Sequence, residues 1–377
     1  MKIGITCYPT YGGSGVVATE LGKALASKGH QVHFISYAVP HRLNHYVENI
    51  FFHEVEMSNY PLFEFPLYTL ALTSKMIEVV KYEQLDLIHV HYAIPHAVSG
   101  FLARQIIQKM GGDLRVVTTL HGTDITLVGL EPSFLPLVKF SIEESCGVTA
   151  VSRFLKETTL TNYHIEKDIS VIYNFIDTEL FKKDGNTNFR NHIAPNGEKV
   201  LVHISNFRPV KRVSDTIRVF EKIRKEMPAK LLLIGDGPDR YECEKLAREL
   251  DLHKDVMFLG KQDGLVEILN SADLFLLPSQ SESFGLSALE AMSCGLPVIS
   301  TSVGGLPELI NHNETGFIAE IGDIDRMAKY AVDLLTNEKK YTEFSKNSRN
   351  RAVDVFDLKK IVPRYEQFYL DVLNGKQ

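Results

Sequence analysis

What most limits the folds open to this chain is an alternation kept up from end to end: brief runs of β-branched and apolar residues, each followed by an amphipathic stretch of helical period. Runs at 2–7, 31–37, 87–91, 116–120, 147–151 and 169–172 have the length and composition of buried strands. A second series lies at 199–204, 230–234, 256–259, 274–277, 297–300 and 316–319. Strands separated by helix-length segments cannot pair as hairpins and must cross over in parallel. The expected class is therefore α/β, two doubly wound parallel sheets of Rossmann type.

A length of 377 residues suits two domains rather than one. The stretch 177–198 is polar and weakly periodic (Lys182-Lys183-Asp184-Gly185-Asn186, then Ala194-Pro195-Asn196-Gly197) and reads as a linker. This gives a first domain at 1–176 and a second at 199–357. The apolar spacing of the last stretch predicts a helix over 358–373, and such a tail is expected to return to the first domain, so that 358–377 joins it.

Lys plus Arg is 41 and Asp plus Glu 47, a formal charge of −6 that disfavours a nucleic-acid partner held by bulk electrostatics. The apolar runs fall far short of the ~20 residues of a membrane helix, and the start is too brief for a signal peptide. The 4 cysteines form no CxxC pair and read as free thiols. Together these features suggest a cytoplasmic protein with no membrane partner.

Four glycine turns follow predicted strands. Gly13-Ser14-Gly15-Val16-Val17-Ala18 fits the G-x-G-x-x-A fingerprint of dinucleotide sites. That fingerprint also needs an acidic residue near the end of the second strand, where this chain has Ser36 and Tyr37. What remains is an anion-binding turn, with backbone N–H groups at a helix N-terminus. Gly235-Asp236-Gly237-Pro238 and Val303-Gly304-Gly305-Leu306-Pro307-Glu308 are two more such turns.

The densest segment runs from Ser279 to Met292 and contains Glu282 and Glu290. Taken singly, Glu282 reads as a capping residue and Glu290 as an exposed helix position. Between them the first-turn N–H groups from Ser283 to Leu286 suit an anion, while two carboxylates suit hydroxyl donors. A nucleotide sugar has that layout: a diphosphate with a hexose at one end and a ribose at the other. Lys211 and Arg212 follow the strand at 199–204 and can offset charge on a departing diphosphate.

His89 and His91 share one strand face, with His96 and His121 at nearby strand ends. No carboxylate or cysteine completes a known ligand spacing around them, so no metal is expected there. Asp323-Ile324-Asp325 reads as a helix cap. There is no P-loop, G-x-S-x-G elbow or H-E-x-x-H motif in the sequence.

These residues resemble a known family. The pair Glu282 and Glu290 in E-x7-E spacing, the strand-end His121, Lys211, the Gly235 turn and the Gly304-Gly305-Leu306-Pro307-Glu308 turn fall in the order of the retaining glycosyltransferases of family 4. The resemblance spans essentially the whole chain. It implies the GT-B architecture, two Rossmann-like domains facing a cleft, with neither metal nor cofactor. The opening stretch from Gly4 to Leu21 is similar to the branch that transfers N-acetylglucosamine to L-malate in the bacillithiol pathway.

The resemblance further implies site roles. Glu290 would hold the ribose hydroxyls, and Glu282 those of the sugar. The N–H groups of Phe284, Gly285 and Leu286 would meet sugar and phosphates. Lys211 would hold the diphosphate, approached by Gly15, with Gly235 in the donor site. Backbone near Lys261 and Gln262 would hold uracil, and His121 would contact the sugar; His121, Lys211 and Glu282 form the catalytic set. Many family members carry Arg five residues before the lysine, where this chain has Asn206, with Arg208 two residues later.

The implied partners are UDP-N-acetylglucosamine and L-malate, and a homo-oligomer is compatible with them. Malate brings two carboxylates and needs donors; Ser14, Tyr92, Thr123, Arg153 and Asn206 are the candidates. Three alternatives stay open at this level: another small or lipid acceptor, an oxidoreductase built on the glycine fingerprint, and a sugar-nucleotide sensor without turnover.

Overall fold

The computed structural model describes residues 1–43, 45–57, 65, 67–185 and 188–376. The chain divides into two compact units, Met1–Asn174 with Lys359–Gln377, and Phe175–Leu358.

The first unit is built on β1 (Lys2–Thr6), β2 (Gln31–Ser36), β3 (Ile50–Glu54), β4 (Leu87–His91), β5 (Arg115–Leu120), β6 (Gly147–Ala150) and β7 (Ile169–Val171). They form one seven-stranded sheet in the order β3-β2-β1-β4-β5-β6-β7, and every pairing is parallel. The sequence reading found six of these strands and missed β3. Its segment, Ile50-Phe51-Phe52-His53-Glu54, lies at the sheet edge with no fully buried residue, so it lacks the apolar run of an inner strand.

The second unit carries β8 (Lys199–Ile204), β9 (Ala229–Ile234), β10 (Val256–Gly260), β11 (Leu274–Leu277), β12 (Val298–Thr301) and β13 (Gly316–Ala319). Its six-stranded sheet runs β10-β9-β8-β11-β12-β13, again all parallel. In both sheets the order reverses at one place, between β1 and β4 and between β8 and β11. Connections leave that place toward opposite faces, so the carboxyl-end loops diverge and open a crevice.

The stretch 177–198, read above as a linker, falls inside the second unit. Phe181 and Ile193 are buried there, and Asn188–Ile193 forms a helix. Arg349 ties the stretch down by donating to the carbonyls of Thr178 and Phe181 at 2.9 and 2.8 Å. Positions 186 and 187 lie outside the described residues, as does 377 in the tail.

The terminal helix Leu358–Leu373 packs in the first unit, where Tyr365 and Tyr369 are fully buried. The Tyr369 hydroxyl meets His89 Nδ1 at 2.7 Å, Arg364 donates to the Val171 carbonyl at 2.8 Å, and Glu366 pairs with Lys28 and His30. Gly147 is required by this packing, because a Cβ there would stand 2.7 Å from Val372 Cγ2. Among the described residues no helix is long and apolar enough to cross a membrane.

The first unit buries an unusual number of imidazoles. Burial pushes His33 down to about 4, His89 to about 3 and His96 to about 4, and His91 well below its ordinary value. A histidine kept neutral in the fold contributes stability above its unfolded pKa of about 6.5 and loses it as pH falls toward the folded value. The thermal midpoint is therefore expected to fall steeply between pH 6.5 and 5, above the range where most carboxylates titrate. Each such histidine adds up to ~1.4 kcal/mol per pH unit; a midpoint constant over that window would contradict this. Tyr369→Phe is expected to cost ~1–3 kcal/mol by stranding the buried His89 nitrogen, read as a lower midpoint in thermal denaturation at pH 7.5.

Candidate active site

The two sheets each present a cluster of polar groups at the carboxyl ends of the strands flanking the order reversal. In the first unit β1 leads through Tyr8–Gly12 into the helix Gly13–Ser27. A Cβ on Gly15 would lie 2.5 Å from the Tyr8 carbonyl and 2.8 Å from that of Thr10, so only glycine lets this turn fold onto the helix. Ser36, at the end of β2, spends its hydroxyl on the Cys7 carbonyl at 3.0 Å and is fully buried. The position that would hold a ribose in a dinucleotide site is thus a packing residue.

Ser14 Oγ lies 2.8 Å from the Tyr92 hydroxyl, which also hydrogen-bonds Thr123. Three of the five candidate acceptor residues therefore meet, brought together from the loops after β1, β4 and β5. Arg153 does not join this hydroxyl trio: it is exposed at the start of the helix Arg153–Tyr163, capped by Ser152 after β6. Asn206 belongs to the second unit and is exposed beyond the end of β8.

His121 stands beyond β5, with its Nε2 2.8 Å from His91 Nδ1. The tautomers follow from the partners. His96 Nδ1 faces the His91 carbonyl at 2.5 Å and must donate, so its Nε2 accepts from the Tyr68 hydroxyl at 3.1 Å. His91 Nε2 is buried with no partner among the described residues, and an orphan lone pair is cheaper to bury than an orphan N–H. His91 therefore donates from Nδ1, and His121 accepts at Nε2 and carries its own proton on Nδ1. Burial, with His96 nearby, pushes His121 down to about 3, so it is a neutral hydrogen-bond donor at physiological pH.

Asp124, which the sequence reading did not single out, holds this loop. It is buried and accepts from the backbone N–H groups of Ala93 at 2.8 Å, Gly122 at 2.9 Å and His121 at 3.3 Å, tying the ends of β4 and β5 together. Burial pushes the carboxyl up to about 6 against those hydrogen bonds. The signal for it was an aspartate just after a glycine turn, a common backbone-capping position.

In the second unit Lys211 Nζ meets Glu282 Oε1 at 2.6 Å, and Ser279 Oγ donates to the same oxygen at 3.0 Å. Lys211 ends the short helical turn Pro209–Lys211, and the Gln280 N–H, donating to the Val210 carbonyl at 2.8 Å, locks that turn to the loop after β11. The resemblance assigned Glu282 to the sugar and Lys211 to the diphosphate; the fold brings the two charges into direct contact. Ser279 was not foreseen in this role, although it opens the motif.

Glu290 is 4% exposed, not a surface helix position. It sits within the helix Leu286–Ser293, whose N-cap Gly285 is left-handed at φ 96°. A Cβ on Gly304 would lie 1.7 Å from the Glu282 carbonyl, and the Gly305 N–H donates to that carbonyl at 2.9 Å. The turn after β12 thus rests directly on the loop after β11. Gly235 has φ 121°, and a Cβ there would lie 1.8 Å from the Ser205 carbonyl, so it seats the turn after β9 on the one after β8. Lys261 and Gln262 follow β10 at the opposite edge of the sheet, both exposed, with the Gln262 amide folded back onto the Leu259 carbonyl at 2.6 Å.

Comparison with known proteins matches this geometry to one family. Residues 11–180 match the family model described as Glycosyltransferase Family 4, and residues 184–351 the one described as Glycosyl transferases group 1. Over 381 aligned residues the chain is 50% identical to N-acetyl-alpha-D-glucosaminyl L-malate synthase of Bacillus anthracis, covering 100% of this chain and 99% of that protein. It is 25% identical over 369 residues to the phosphatidylinositol N-acetylglucosaminyltransferase GPI3 subunit of Saccharomyces cerevisiae, covering 94% of this chain and 79% of that one. Among solved structures, Anabaena Alr3699/HepE in complex with UDP-glucose superposes with a TM-score of 0.81 at 22% identity, covering 98% of this chain and 99% of that one, which bears on the fold. With two parallel α/β units, both family models matched in turn and 50% identity along its whole length to the Bacillus anthracis enzyme, the chain belongs to glycosyltransferase family 4.

Proposed function

We propose that the protein transfers N-acetylglucosamine from UDP-N-acetylglucosamine to the hydroxyl of L-malate, retaining the α configuration and releasing UDP, as a cytoplasmic enzyme at the first step of bacillithiol biosynthesis. The observation that carries this reading is the 50% identity across the full length to the Bacillus anthracis enzyme of that name.

In this reading the second unit holds the donor. The N–H groups of Phe284, Gly285 and Leu286 stand at the start of a helix, where backbone dipoles favour anionic oxygens. Glu290 takes the ribose hydroxyls. Glu282, already oriented by Ser279 and Lys211, accepts from sugar hydroxyls. Lys211 keeps two N–H bonds beyond the one given to Glu282 and turns them to the diphosphate. Gly235 serves by letting its turn pack, and the backbone near Lys261 and Gln262 faces the base.

The first unit supplies the rest. Gly15 leaves room for an approaching phosphate. His121 offers its Nδ1–H to the sugar as a neutral donor, so it orients rather than exchanges protons. The hydroxyls of Ser14, Tyr92 and Thr123, with Arg153 and the Asn206 amide, answer malate's carboxylates.

Retention through a covalent glycosyl-enzyme would need a free carboxylate beside the sugar. Asp124 is a poor candidate, because both its oxygens are taken by backbone N–H groups. This favours transfer on one face. The bond from the anomeric carbon to the phosphate oxygen breaks, the bond to the malate oxygen forms, and the malate hydroxyl proton passes to the departing phosphate oxygen. Lys211 and the helix N-terminus stabilise the charge that develops there.

With UDP-N-acetylglucosamine and a panel of small hydroxy acids, L-malate is expected to give the fastest UDP release, with an α-linked product by NMR. Release with another acid and none with malate would remove malate as acceptor. Lys211→Ala is expected to lower kcat by roughly 10²–10³-fold, the usual cost of losing one donor to a developing anion; unchanged steady-state turnover would take the lysine out of the mechanism.

A further inference from the structure

A second polar cluster lies on the β3 edge of the first unit, and none of its members takes part in the site above. His33 on β2 is 1% exposed. His53 on β3 is half-buried, and Glu83 ends the helix Tyr68–Glu83 that packs on the same sheet face. His33 Nδ1 and His53 Nε2 are 2.9 Å apart, and one donor atom from each of the three residues lies within 4.8 Å of the other two.

The bare cluster is poorly satisfied. Two imidazoles in contact can share only one proton. The Glu83 carboxylate makes no hydrogen bond or ion pair among the described residues; its backbone carbonyl is engaged by Lys2 Nζ at 2.9 Å. The other charges nearby, Lys75 and Glu78, are paired with each other at 3.0 Å. Burial holds both imidazoles on the neutral side, where their lone pairs are available.

We propose that His33, His53 and Glu83 form a binding site for a divalent transition-metal ion of the zinc class. Two imidazole nitrogens and one carboxylate oxygen are a usual protein set for zinc, leaving a fourth position to water. Ligand nitrogens around tetrahedral zinc stand about 3.3 Å apart, given Zn–N near 2.0–2.1 Å. The imidazole pair needs to open by only a few tenths of an ångström, and Glu83 closes by rotating its side chain. The ring that donates within the pair moves its proton to its other nitrogen, as the accepting ring has already done, so binding near neutral pH releases none. The ion also neutralises the unpaired carboxylate. His33 is fixed by pairing of β2 on both sides and by stacking on Phe51 at 4.7 Å between ring centroids, so one ligand is in place beforehand.

From the sequence no metal was expected anywhere in the chain; this site, distinct from the strand-end histidines, pins an edge strand to a helix. The ligands come from positions far apart in sequence, so no spacing motif announces them.

The test is calorimetric titration of the chelator-stripped full chain with zinc chloride, with melting followed in parallel. One zinc per chain at micromolar affinity or tighter is expected, with a midpoint raised by several degrees. Glu83→Gln and His53→Ala are each expected to weaken that binding at least ~10-fold, as removal of a ligand should. Circular dichroism and unchanged UDP affinity check that both variants fold. Absence of stoichiometric binding to the parent chain would overturn the proposal. So would binding that persists unchanged in Glu83→Gln, which would place the ion elsewhere, for instance on His91 and His121, or mark it as an adventitious ion only.

Discussion

Everything at the strand ends depends on backbone packed directly against backbone. In each sheet the loops on either side of the order reversal must part, yet the turns behind them must close tightly enough to hold side chains in register. Glycines at Gly15, Gly235 and Gly304 meet this demand, each with a neighbouring carbonyl where a Cβ would otherwise be. A single methyl group at Gly304 would push the turn after β12 off the Glu282 carbonyl and shift the carboxylate above it. The glycines that look in sequence like a phosphate-binding fingerprint are thus first a packing device. This explains why the G-x-G-x-x-A pattern appears here without the ribose-binding acid that would make it a dinucleotide site.

The two units solve the electrostatic problem differently. The first lines its strand ends with groups that are neutral at physiological pH: three hydroxyls, and imidazoles whose charge has been suppressed by burial. Its buried Asp124 is wrapped in backbone N–H groups and used as mortar between β4 and β5. The second unit keeps full charges, Lys211 and Glu282, only partly exposed and in contact. Neutral donors discriminate by hydrogen-bond geometry, whereas fixed charges stabilise an ionic leaving group. That division suits a reaction in which one partner must be oriented and the other must depart as an anion.

Most of the architecture was legible because a buried parallel strand is a nearly unbroken apolar run, and twelve of the strands carry one. The strand β3 was not, since an edge strand with His53 and Glu54 in it resembles a loop. The segment 177–198 misled for the opposite reason. Its polarity suggested a free linker, but Phe181 and Ile193 are buried and Arg349 clamps its carbonyls. Lys211, Glu282 and Glu290 were singled out by strand-end position and by resemblance, and Glu290 read alone looked exposed, whereas it is buried. A helix of eight residues is too short for periodicity to tell its buried face. Asp124 and the relay from Tyr68 through His96 and His91 to His121 were out of reach, because they depend on which strand ends become neighbours.

The contact between Lys211 and Glu282 looks at first like a waste of a cation proposed to meet the diphosphate. Both side chains are largely shielded from solvent, and the attraction within such a pair is offset by the cost of desolvating it. Its value lies in entropy. A free lysine carries roughly 2 kcal/mol of rotamer freedom that must be surrendered when it binds phosphate. Held by Glu282, which Ser279 holds in turn, the ammonium has already lost part of that freedom before the ligand arrives. The same contact fixes the orientation of Glu282, so in the proposed reaction one ion pair would position both an acceptor for the sugar and a donor for the leaving group. Glu282 therefore does more than offer a carboxylate on a loop: it sets where the cation from beyond the end of β8 comes to rest.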